Sequence, residues 1–384
     1  MVLLRVIISF VVLLLLPDWY IHRIYLRKKK NKLLNRLLWG PTIALLVGLL
    51  GFSVLHDSLY RYFGIYLIVS MCFCIPKFTF MLFSLIFRGI NKLFKVNANH
   101  AVLSSVPAFI VLSHILFGAI VGKEYFQVRE VTFTHPDIPE SFDGYRILQL
   151  SDIHSGSWSG NSEALNKAMD ICLEQKADLA LFTGDMVNSK ADELVEFKYV
   201  FAKLKAKDGV YSVLGNHDYG TYVSWASEAD RLANIDSLIS MENDMGWKML
   251  NNEHVIIKRG NDSIAVIGVE NSGKPPFPDY ARLKEAASGT EGMFQILMSH
   301  DPTHWRREVL PETDIELMLA GHTHDMQISF FGFTASSFIY PEHNGLYLEG
   351  KRGLFVNIGL GYVLFPMRLG AWPEITVITL KKEH

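Results

Sequence analysis

The sequence predicts two parts of different fold class, a bundle of four transmembrane helices followed by an α/β domain. The first 123 residues hold four long apolar stretches and only two acidic residues, with a net charge of +12. Residues 124–384 carry 23 Lys and Arg against 37 acids, a net charge of −14. In this second part, apolar runs of strand length alternate with helical patterns, as in α/β domains. So sharp a split in charge and apolarity indicates two parts with different surroundings.

The overall composition excludes some classes of protein. Mean hydropathy is +0.18, which is high for a soluble chain of 384 residues and favours membrane segments. The acidity of the second part argues against nucleic acid as the main partner. The three cysteines, Cys72, Cys74 and Cys172, are too few and too dispersed for a disulfide framework or a thiolate zinc site.

Four stretches of the first part are long enough to cross a bilayer as helices, which takes about 20 residues each. They cover roughly residues 2–20, 37–56, 62–87 and 102–122. Buried helices of a soluble core are the alternative, but four such stretches with almost no acids favour membrane spans. We therefore expect residues 1–123 to form a transmembrane region and residues 124–384 to form the α/β domain.

The basic residues between the predicted spans indicate their orientation. Ten of them lie in the loops 21–36 and 88–101, whereas the loop between spans two and three holds only Arg61. The positive-inside rule places the two basic loops in the cytoplasm. This orientation of four spans predicts a multi-pass membrane protein whose second part lies outside the cytoplasm. A site for anionic lipids is the weaker interpretation of the basic run 27–32.

Two ionisable residues lie inside predicted spans, Lys77 in the third and His114 in the fourth. Ionisable groups at such depth are functional hypotheses by default, because burying them in lipid is unfavourable. Lys77 has a second interpretation, since its long side chain can reach the membrane surface.

In the second part, polar side chains of the kind that bind metals follow five apolar runs. The runs predict strands over Tyr145–Leu150, Leu179–Phe182, Gly209–Leu214, Phe294–Met298 and Ile315–Ala320. The residues that follow them are Asp152, His154, Asp185, Asn216, His217, His300, His322 and His324. Each alone has an ordinary explanation as a turn former or helix cap. Together they favour one site, because ligands bind at the carboxyl ends of strands in α/β sheets.

The types of these side chains indicate the chemistry of the site. Carboxylate and amide oxygens combined with imidazole nitrogens suit Mn, Fe or Zn better than calcium. Two carboxylates and several imidazoles exceed what a single catalytic ion needs. The natural interpretation is a dinuclear metal site in which one carboxylate bridges the two divalent metal ions.

Five sequence blocks resemble the calcineurin-like metallophosphoesterases, and the membrane-attached subgroup in particular. The blocks are Asp152-Ile153-His154, Gly184-Asp185, Gly215-Asn216-His217-Asp218, His300 and Gly321-His322-Thr323-His324. They occur in order over much of the second part, so the resemblance is specific for the site. It implies an α/β sandwich of two mixed sheets flanked by helices.

The resemblance also implies roles for the individual residues. One metal would be held by Asp152, His154 and His324, and the other by Asn216, His300 and His322. Asp185 would bridge the two metals. His217 would bind no metal and would face the phosphate as electrostatic stabiliser or general acid.

The sequence departs from the family pattern at two places. Asp325-Met326 stands where close relatives usually have two glycines, and Asn188 stands where an Asp is common. In parts of the family that Asp orients the catalytic histidine. The loop shape beside His324 and the partner of His217 are therefore open, although the Asn188 side chain could still bond to that ring.

The expected function is hydrolysis of a phosphomonoester, phosphodiester or pyrophosphate by attack of a metal-bound hydroxide. A membrane-bound domain also suits a lipid-linked phosphoester, and acyl chains could contact Phe330, Phe331, Phe333 and Phe338. Ordinary core packing is the preferred explanation of these four rings. One alternative function is that of a UDP-2,3-diacylglucosamine pyrophosphatase of lipid A synthesis, whose cytoplasmic substrate conflicts with the predicted topology. Another is a metal-binding membrane sensor without turnover.

Overall fold

A computed structural model describes residues 2–29, 31–54 and 62–383 of the chain. These residues form two compact units. Unit 1 contains the described residues up to 121 together with 364–369, and unit 2 contains residues 122–363 and 370–383. The short segment 364–369 thus belongs to the helical unit although it lies late in the sequence.

The described residues of unit 1 form four α-helices, one over each predicted span. They are α1 (Val2–Ile21), α2 (Lys32–Val54), α3 (Phe63–Phe94) and α4 (His100–Ile120), and a π-helical turn, His22–Leu26, follows α1. Of the described residues, three stretches are long and apolar enough to cross a membrane, Lys32–Phe52, Phe63–Phe94 and His100–Glu124. Helix α1 has 20 residues, the length that a span requires. The last two residues of the predicted span 37–56 lie outside the described part of the chain.

Helix α3 is longer than predicted, because the helix continues through the polar residues that follow the apolar run. It ends where Lys95 adopts a left-handed backbone conformation, with φ of 52°. The apolar run marks the membrane-crossing stretch, whereas the helix itself ends only where the backbone conformation changes.

A buried ion pair inside unit 1 accounts for the intramembrane Lys77. The Lys77 ammonium lies 2.7 Å from the carboxylate of Asp18 on α1, which is fully buried. The ammonium also donates to the hydroxyl of Thr42 on α2 at 3.1 Å, and that hydroxyl bonds to Asp18. One polar cluster therefore links three helices. The His114 ring bonds to the main-chain carbonyl of Ile110, one turn earlier in α4.

Unit 2 contains fourteen described strands and several short helices. The strands are β1 (Gln127–His135), β2 (Arg146–Leu150), β3 (Leu179–Phe182), β4 (Val210–Ser212), β5 (Lys248–Met249), β6 (Glu253–Arg259), β7 (Asp262–Gly268), β8 (Phe294–Met298), β9 (Leu317–Ala320), β10 (Ser329–Phe330), β11 (Phe333–Thr334), β12 (Gly345–Glu349), β13 (Arg352–Val356) and β14 (Glu374–Lys382). The α-helices are α5 (Ser162–Glu174), α6 (Lys198–Phe201), α7 (Glu228–Met245), α8 (Leu283–Ala287) and α9 (Leu310–Glu312). Short 3₁₀ or π-helical segments cover Gly122–Glu124, Glu140–Phe142, Ser155–Trp158, Ala191–Phe197, Trp305–Val309, His324–Gln327 and Ala335–Phe338.

The strands form two mixed six-stranded sheets and one small hairpin. The first sheet has the order β1-β14-β2-β3-β4-β5, and the second has the order β12-β13-β9-β8-β7-β6. Strands β2, β3, β4 and β5 run parallel in the first sheet, as do β7, β8, β9 and β13 in the second. The hairpin consists of β10 and β11. Two mixed sheets are the architecture that the family resemblance implied.

The apolar residues explain why the two sheets pack face to face. Alternate residues of a strand point to opposite faces. Thus Ile147 of β2 packs in the core shared by both sheets, whereas Leu148 packs against the helices outside the first sheet. Cys172 of α5 is buried in that outer layer. A third core, around Trp305, covers the outer face of the second sheet.

The observed ends of the strands match the ends predicted from the sequence where the whole strand is buried. Strands β3 and β8 begin and end as predicted, since all or nearly all of their residues are buried. After β3 the helical stretch of the chain consists of a 3₁₀ segment, Ala191–Phe197, followed by the single turn α6. An apolar period alone does not distinguish these two helix types.

Candidate metal centre

The predicted site residues meet where strands of both sheets end. Asp152 and His154 follow β2, Asp185 follows β3, Asn216 follows β4, and four histidines follow β4, β8 and β9. The loops approach one another closely. A Cβ on Gly321 would overlap the Asp152 carboxylate, so only glycine fits there.

The backbone at these loops is strained. Asp152, His154, Asp185, His322 and His324 all have positive φ, between 48° and 75°. Residues other than glycine adopt this left-handed region rarely, and such strain concentrates at functional sites.

One group of donors consists of Asp152, His154 and His324, all buried. The Nε2 atoms of the two rings lie 2.9 Å apart, and the Nε2 of His324 lies 3.2 Å from the Asp152 carboxylate. Burial, with the nearby imidazoles of His217 and His324, holds the pKa of His154 well below its usual range. A neutral imidazole is the form that binds a metal. Despite its burial, the pKa of Asp152 is also well below its usual range, because imidazoles surround it.

A second group consists of Asp185, His300 and His322, with the side-chain oxygen of Asn216 between the two rings. That oxygen lies 3.1 Å from the Nε2 of His300 and 2.8 Å from the Nδ1 of His322. The outward nitrogens have other partners. The Nδ1 of His300 donates to the carbonyl of Thr183, and the Nε2 of His322 bonds to the hydroxyl of Tyr340. Such outer bonds fix the ring orientation and leave one nitrogen of each ring facing inward.

Asp185 lies between the two groups. One of its oxygens, Oδ2, is 3.1 Å from the Nε2 of His300 and 3.7 Å from the Nε2 of His154. Burial disfavours a charged His300, but Asp185 and Asp152 outweigh this effect and raise the pKa of His300 to about 10. The two carboxylates therefore attract positive charge into the site. Oxygen and imidazole donors that converge on such a negative region fit divalent cations.

His217 lies beside both groups and is positioned by the main chain. Its Nδ1 donates to the main-chain carbonyl of Asn188 at 2.7 Å. The side chain of Asn188 bonds instead to the hydroxyl of Ser157. Asn188, which stands where an Asp is common, thus orients His217 through its main-chain carbonyl oxygen. The Nε2 of His217 remains available to other partners. The His217 ring also stacks on Tyr222, with 4.3 Å between ring centroids.

Three further residues support the site: Asp218, which lies in a block of the family resemblance but was given no role there, and Tyr222 and Tyr340, which have no recognisable sequence signal. The buried carboxylate of Asp218 accepts hydrogen bonds from the main-chain N–H groups of Asp185, Val187 and Gly215, at 2.8, 3.1 and 2.9 Å. The Tyr222 hydroxyl accepts a bond from the Asn216 amide at 2.7 Å, which fixes the amide orientation. Tyr340 bonds to His322, as described above. Burial raises the pKa of both tyrosines to about 12, so their hydroxyls are neutral.

The segment after His324 differs from the sequence expectation. Phe330 is half exposed, Phe331 is fully exposed, and Phe333 and Phe338 are 82% and 92% exposed. Core packing is therefore the wrong explanation of these four rings. We call residues 326–340 the aromatic loop.

Asp325 and Met326, at the start of this segment, both have φ near 50°. Because left-handed backbone favours glycine, this conformation explains why two glycines are common at these positions. The two side chains therefore keep the loop shape that glycines would allow, at the expense of backbone strain.

Comparison with known proteins agrees with this geometry. The family model described as calcineurin-like phosphoesterase matches residues 145–326, and a model described as "Probable Calcineurin-like phosphoesterase, transmembrane domain" matches residues 4–123. A "Transmembrane protein with metallophosphoesterase domain" from Danio rerio is 29% identical over 331 residues, 80% of this chain and 72% of that protein. The metallophosphoesterase YkuE of Bacillus subtilis (strain 168) is 31% identical over 268 residues, 67% of this chain and 86% of its own length.

Among solved structures, a phosphopantetheinyl hydrolase from Mycobacterium tuberculosis is 14% identical, with a TM-score of 0.34 over 58% of this chain and 91% of that one. This likeness is too distant to support a statement about function. The sequence matches and the metal-binding clusters lead to a plain conclusion. The chain belongs to the calcineurin-like metallophosphoesterases, and it is a membrane-associated, metal-dependent phosphoester hydrolase.

Proposed function

We propose that the chain is a dinuclear phosphoesterase in which residues 1–123 anchor a catalytic domain of residues 124–384. The metal ligands in this proposal are Asp152, His154 and His324 for one ion, Asn216, His300 and His322 for the other, and Asp185 for both. The observation that carries the proposal is the position of Asp185 Oδ2 between the two donor groups, within 3.7 Å of a histidine of each. A shared carboxylate is the usual bridge in two-metal sites.

When bound, two divalent ions would supply an activated water and neutralise charge on the phosphoryl oxygens. The protein's own contribution begins with orientation. Thr183, Tyr222 and Tyr340 hold the outward atoms of three ligands, so the inward donors are fixed before substrate arrives. Such preorganisation stabilises the transition state without reorganisation during the reaction.

His217 is the catalytic residue in this proposal. Its Nδ1 is engaged by the Asn188 carbonyl, so the Nε2 of the ring is available to a substrate oxygen. In the protonated state this nitrogen stabilises phosphoryl charge and can give a proton to the leaving oxygen. We predict that His217→Ala lowers turnover about a hundredfold or more, whereas the metal content stays unchanged. Equal losses of metal and activity would make His217 a ligand instead.

The proposed substrate is a phosphoester, and the donor set favours Mn, Fe or Zn as the metal. The proposed location of the catalytic domain is outside the cytoplasm, which the positive-inside rule supports when it is applied to the two basic loops. Reporter fusions after residue 123 test this topology, since an alkaline phosphatase fusion is active only outside the cytoplasm. A cytoplasmic result would contradict the topology and favour the pyrophosphatase of lipid A synthesis.

The full chain, purified in detergent and freed of metal, tests the proposal. We expect added Mn²⁺ to restore hydrolysis of bis(p-nitrophenyl) phosphate, with two ions bound per chain. Asp185→Ala should abolish the activity and lower the metal content, because both donor groups lose a ligand. The matched control is Asp170→Ala, an exposed carboxylate on α5. Equal rates for the Asp185 variant and the unaltered chain would favour a sensor without turnover.

A further inference from the structure

The aromatic loop exposes a large apolar surface beside the metal centre. Its four phenylalanines, between 50% and 103% exposed, together expose on the order of 600 Å² of ring surface, which is the upper end of the range for the largest apolar patch of a soluble monomer. Residues 326–341 contain no Asp, Glu, Lys or Arg. The loop can therefore leave water without removing a charge from it.

The tip of the loop breaks a local rule of hairpin structure. Strands β10 and β11 pair Ser329 with Thr334 and Phe330 with Phe333, so Phe331 and Gly332 form the turn. Both have positive φ, 52° and 82°. Such turns favour Asn-Gly, and a bulky residue is unfavourable at the first position. The fully exposed Phe331 ring gains no packing in return, and a rule broken without gain points to function.

The loop is attached to the metal centre at both ends. It begins two residues after the predicted ligand His324, and it ends at Tyr340. The Tyr340 hydroxyl lies 2.9 Å from the Nε2 of His322, another predicted ligand. Whatever the phenylalanines contact is therefore held close to the site.

The chain also connects this loop to the helical unit. Within unit 1, the N–H of Arg368 donates to the carbonyl of Gly118, near the end of α4. The segment 364–369 thus lies at a helix end. Within unit 2, the residues that flank this segment contact the base of the aromatic loop. The side-chain oxygen of Gln327 accepts a bond from the N–H of Val363, and a Cβ on Gly370 would overlap the carbonyl of Ser329.

From this placement we propose that the aromatic loop inserts Phe330, Phe331, Phe333 and Phe338 into the surface of the bilayer that holds α1–α4. The occupant of the apolar surface is thus lipid, since the loop is uncharged and since the chain continues directly from its contacts Val363 and Gly370 into residues 364–369 of the helical unit. A second part of the proposal rests on the proposed function: because the loop holds the metal centre at the membrane surface, the enzyme selects phosphoesters carried by lipids.

Insertion is measured without catalysis, on the full chain in vesicles of phosphatidylcholine and phosphatidylglycerol. A cysteine is introduced by Phe331→Cys and labelled with a polarity-sensitive dye. The background carries Cys72→Ala, because Cys74 and Cys172 are buried. We expect blue-shifted emission and quenching by lipids that carry a doxyl group near the headgroup.

The matched control is Tyr199→Cys, an aromatic residue that is 58% exposed far from the loop in sequence. Its label should report water and be quenched by iodide. The same response from the Phe331→Cys label would overturn the proposal. Shielding that depends on protein concentration in detergent, and not on lipid, would indicate a second copy of the chain and would also overturn it.

The substrate part of the proposal is tested with two probes that share a leaving group. One is p-nitrophenyl phosphate esterified to diacylglycerol in vesicles, and the other is soluble bis(p-nitrophenyl) phosphate. Phe331→Ser together with Phe333→Ser should lower the ratio of lipid to soluble rates about tenfold, and Tyr199→Ser should leave it unchanged. An unaltered ratio would overturn lipid selection. Absence of Mn²⁺-dependent hydrolysis of both probes would instead overturn the proposed function, while the dye still reports insertion.

Discussion

The carboxylate of Asp218 provides a quantitative test of how the metal-centre loops are held. It accepts three main-chain hydrogen bonds, two on Oδ2 and one on Oδ1. In Asp218→Asn, the remaining oxygen can keep the bonds from Asp185 and Gly215. The new amide then faces the N–H of Val187, and because both groups are hydrogen-bond donors, the N–H of Val187 loses its acceptor. In Asp218→Ala, all three N–H groups lose their acceptor in a buried position.

The expected loss of unfolding free energy follows from these bonds. One unsatisfied buried donor costs about 1–3 kcal/mol, so Asp218→Asn should lose about that much. Asp218→Ala should lose about 4–6 kcal/mol, which is large for a single substitution, although three neighbouring losses do not add fully. Burial, with the nearby Asp185, raises the pKa of Asp218 to about 7, so the experiment belongs at pH 8, where the carboxylate is ionised.

The assay is urea unfolding of the metal-free full chain in detergent, followed by tryptophan fluorescence. Trp158, Trp247 and Trp305 are fully buried in unit 2 and report its unfolding. The control is Asp170→Asn, the same chemical change on an exposed residue of α5. The reasoning is refuted if Asp218→Asn unfolds at the same urea concentration as that control, or if the Ala variant is no weaker than the Asn variant.

Three further predictions concern other buried polar groups. Burial raises the pKa of Glu242 to about 8, so the folded chain keeps a proton that the unfolded chain releases. The free energy of unfolding should therefore fall as the pH rises from about 4.5 to 8. In urea titrations, Glu242→Gln should remove this fall. Asn188→Ala should change turnover by less than about threefold, because the carbonyl that holds His217 is retained. Asp18→Leu or Lys77→Leu should each lower the thermal unfolding midpoint in detergent, since each leaves a buried charge unpaired, and the double variant should recover most of the loss.

Each of these predictions has a control and a contrary outcome. Asp236→Asn, an exposed residue on the same helix as Glu242, should keep the pH dependence. A large loss of turnover in Asn188→Ala would mean that the side chain orients His217. Additive losses in the Asp18 and Lys77 double variant would show that the two charges are not coupled.

The sequence predicted most of what depends on residue type and order. The apolar runs followed by candidate ligands correctly predicted five strands, because a buried strand and the residue that follows it are both local features of the sequence. The same residues converge in the structure, since parallel strands bring their carboxyl ends to one edge. The arrangement in two mixed sheets was predicted from the family resemblance, because the strand pattern alone does not specify how strands pair.

What the sequence could not predict depends on contacts between distant residues. Tyr340 lies 18 positions after His322 with no motif between them, and only the return of the aromatic loop brings its hydroxyl to the ring. Asn188 orients His217 through a main-chain carbonyl, which carries no residue signature. The phenylalanines after Ser329 have the composition of core residues, and their exposure follows from a hairpin too short to cover them.

The position of β14 in the first sheet has a consequence for biosynthesis. This strand runs beside β1 on one side and β2 on the other, and those two strands do not pair with each other. Since it is the last strand of the sheet to leave the ribosome, β1 has no partner in the sheet until then. The loop that carries Asp152 follows β2, so its strand gains that neighbour only after Glu374–Lys382 has been synthesised. Contacts between such distant segments form slowly. A nascent chain that already contains every predicted ligand is therefore expected to be inactive until this strand has been added.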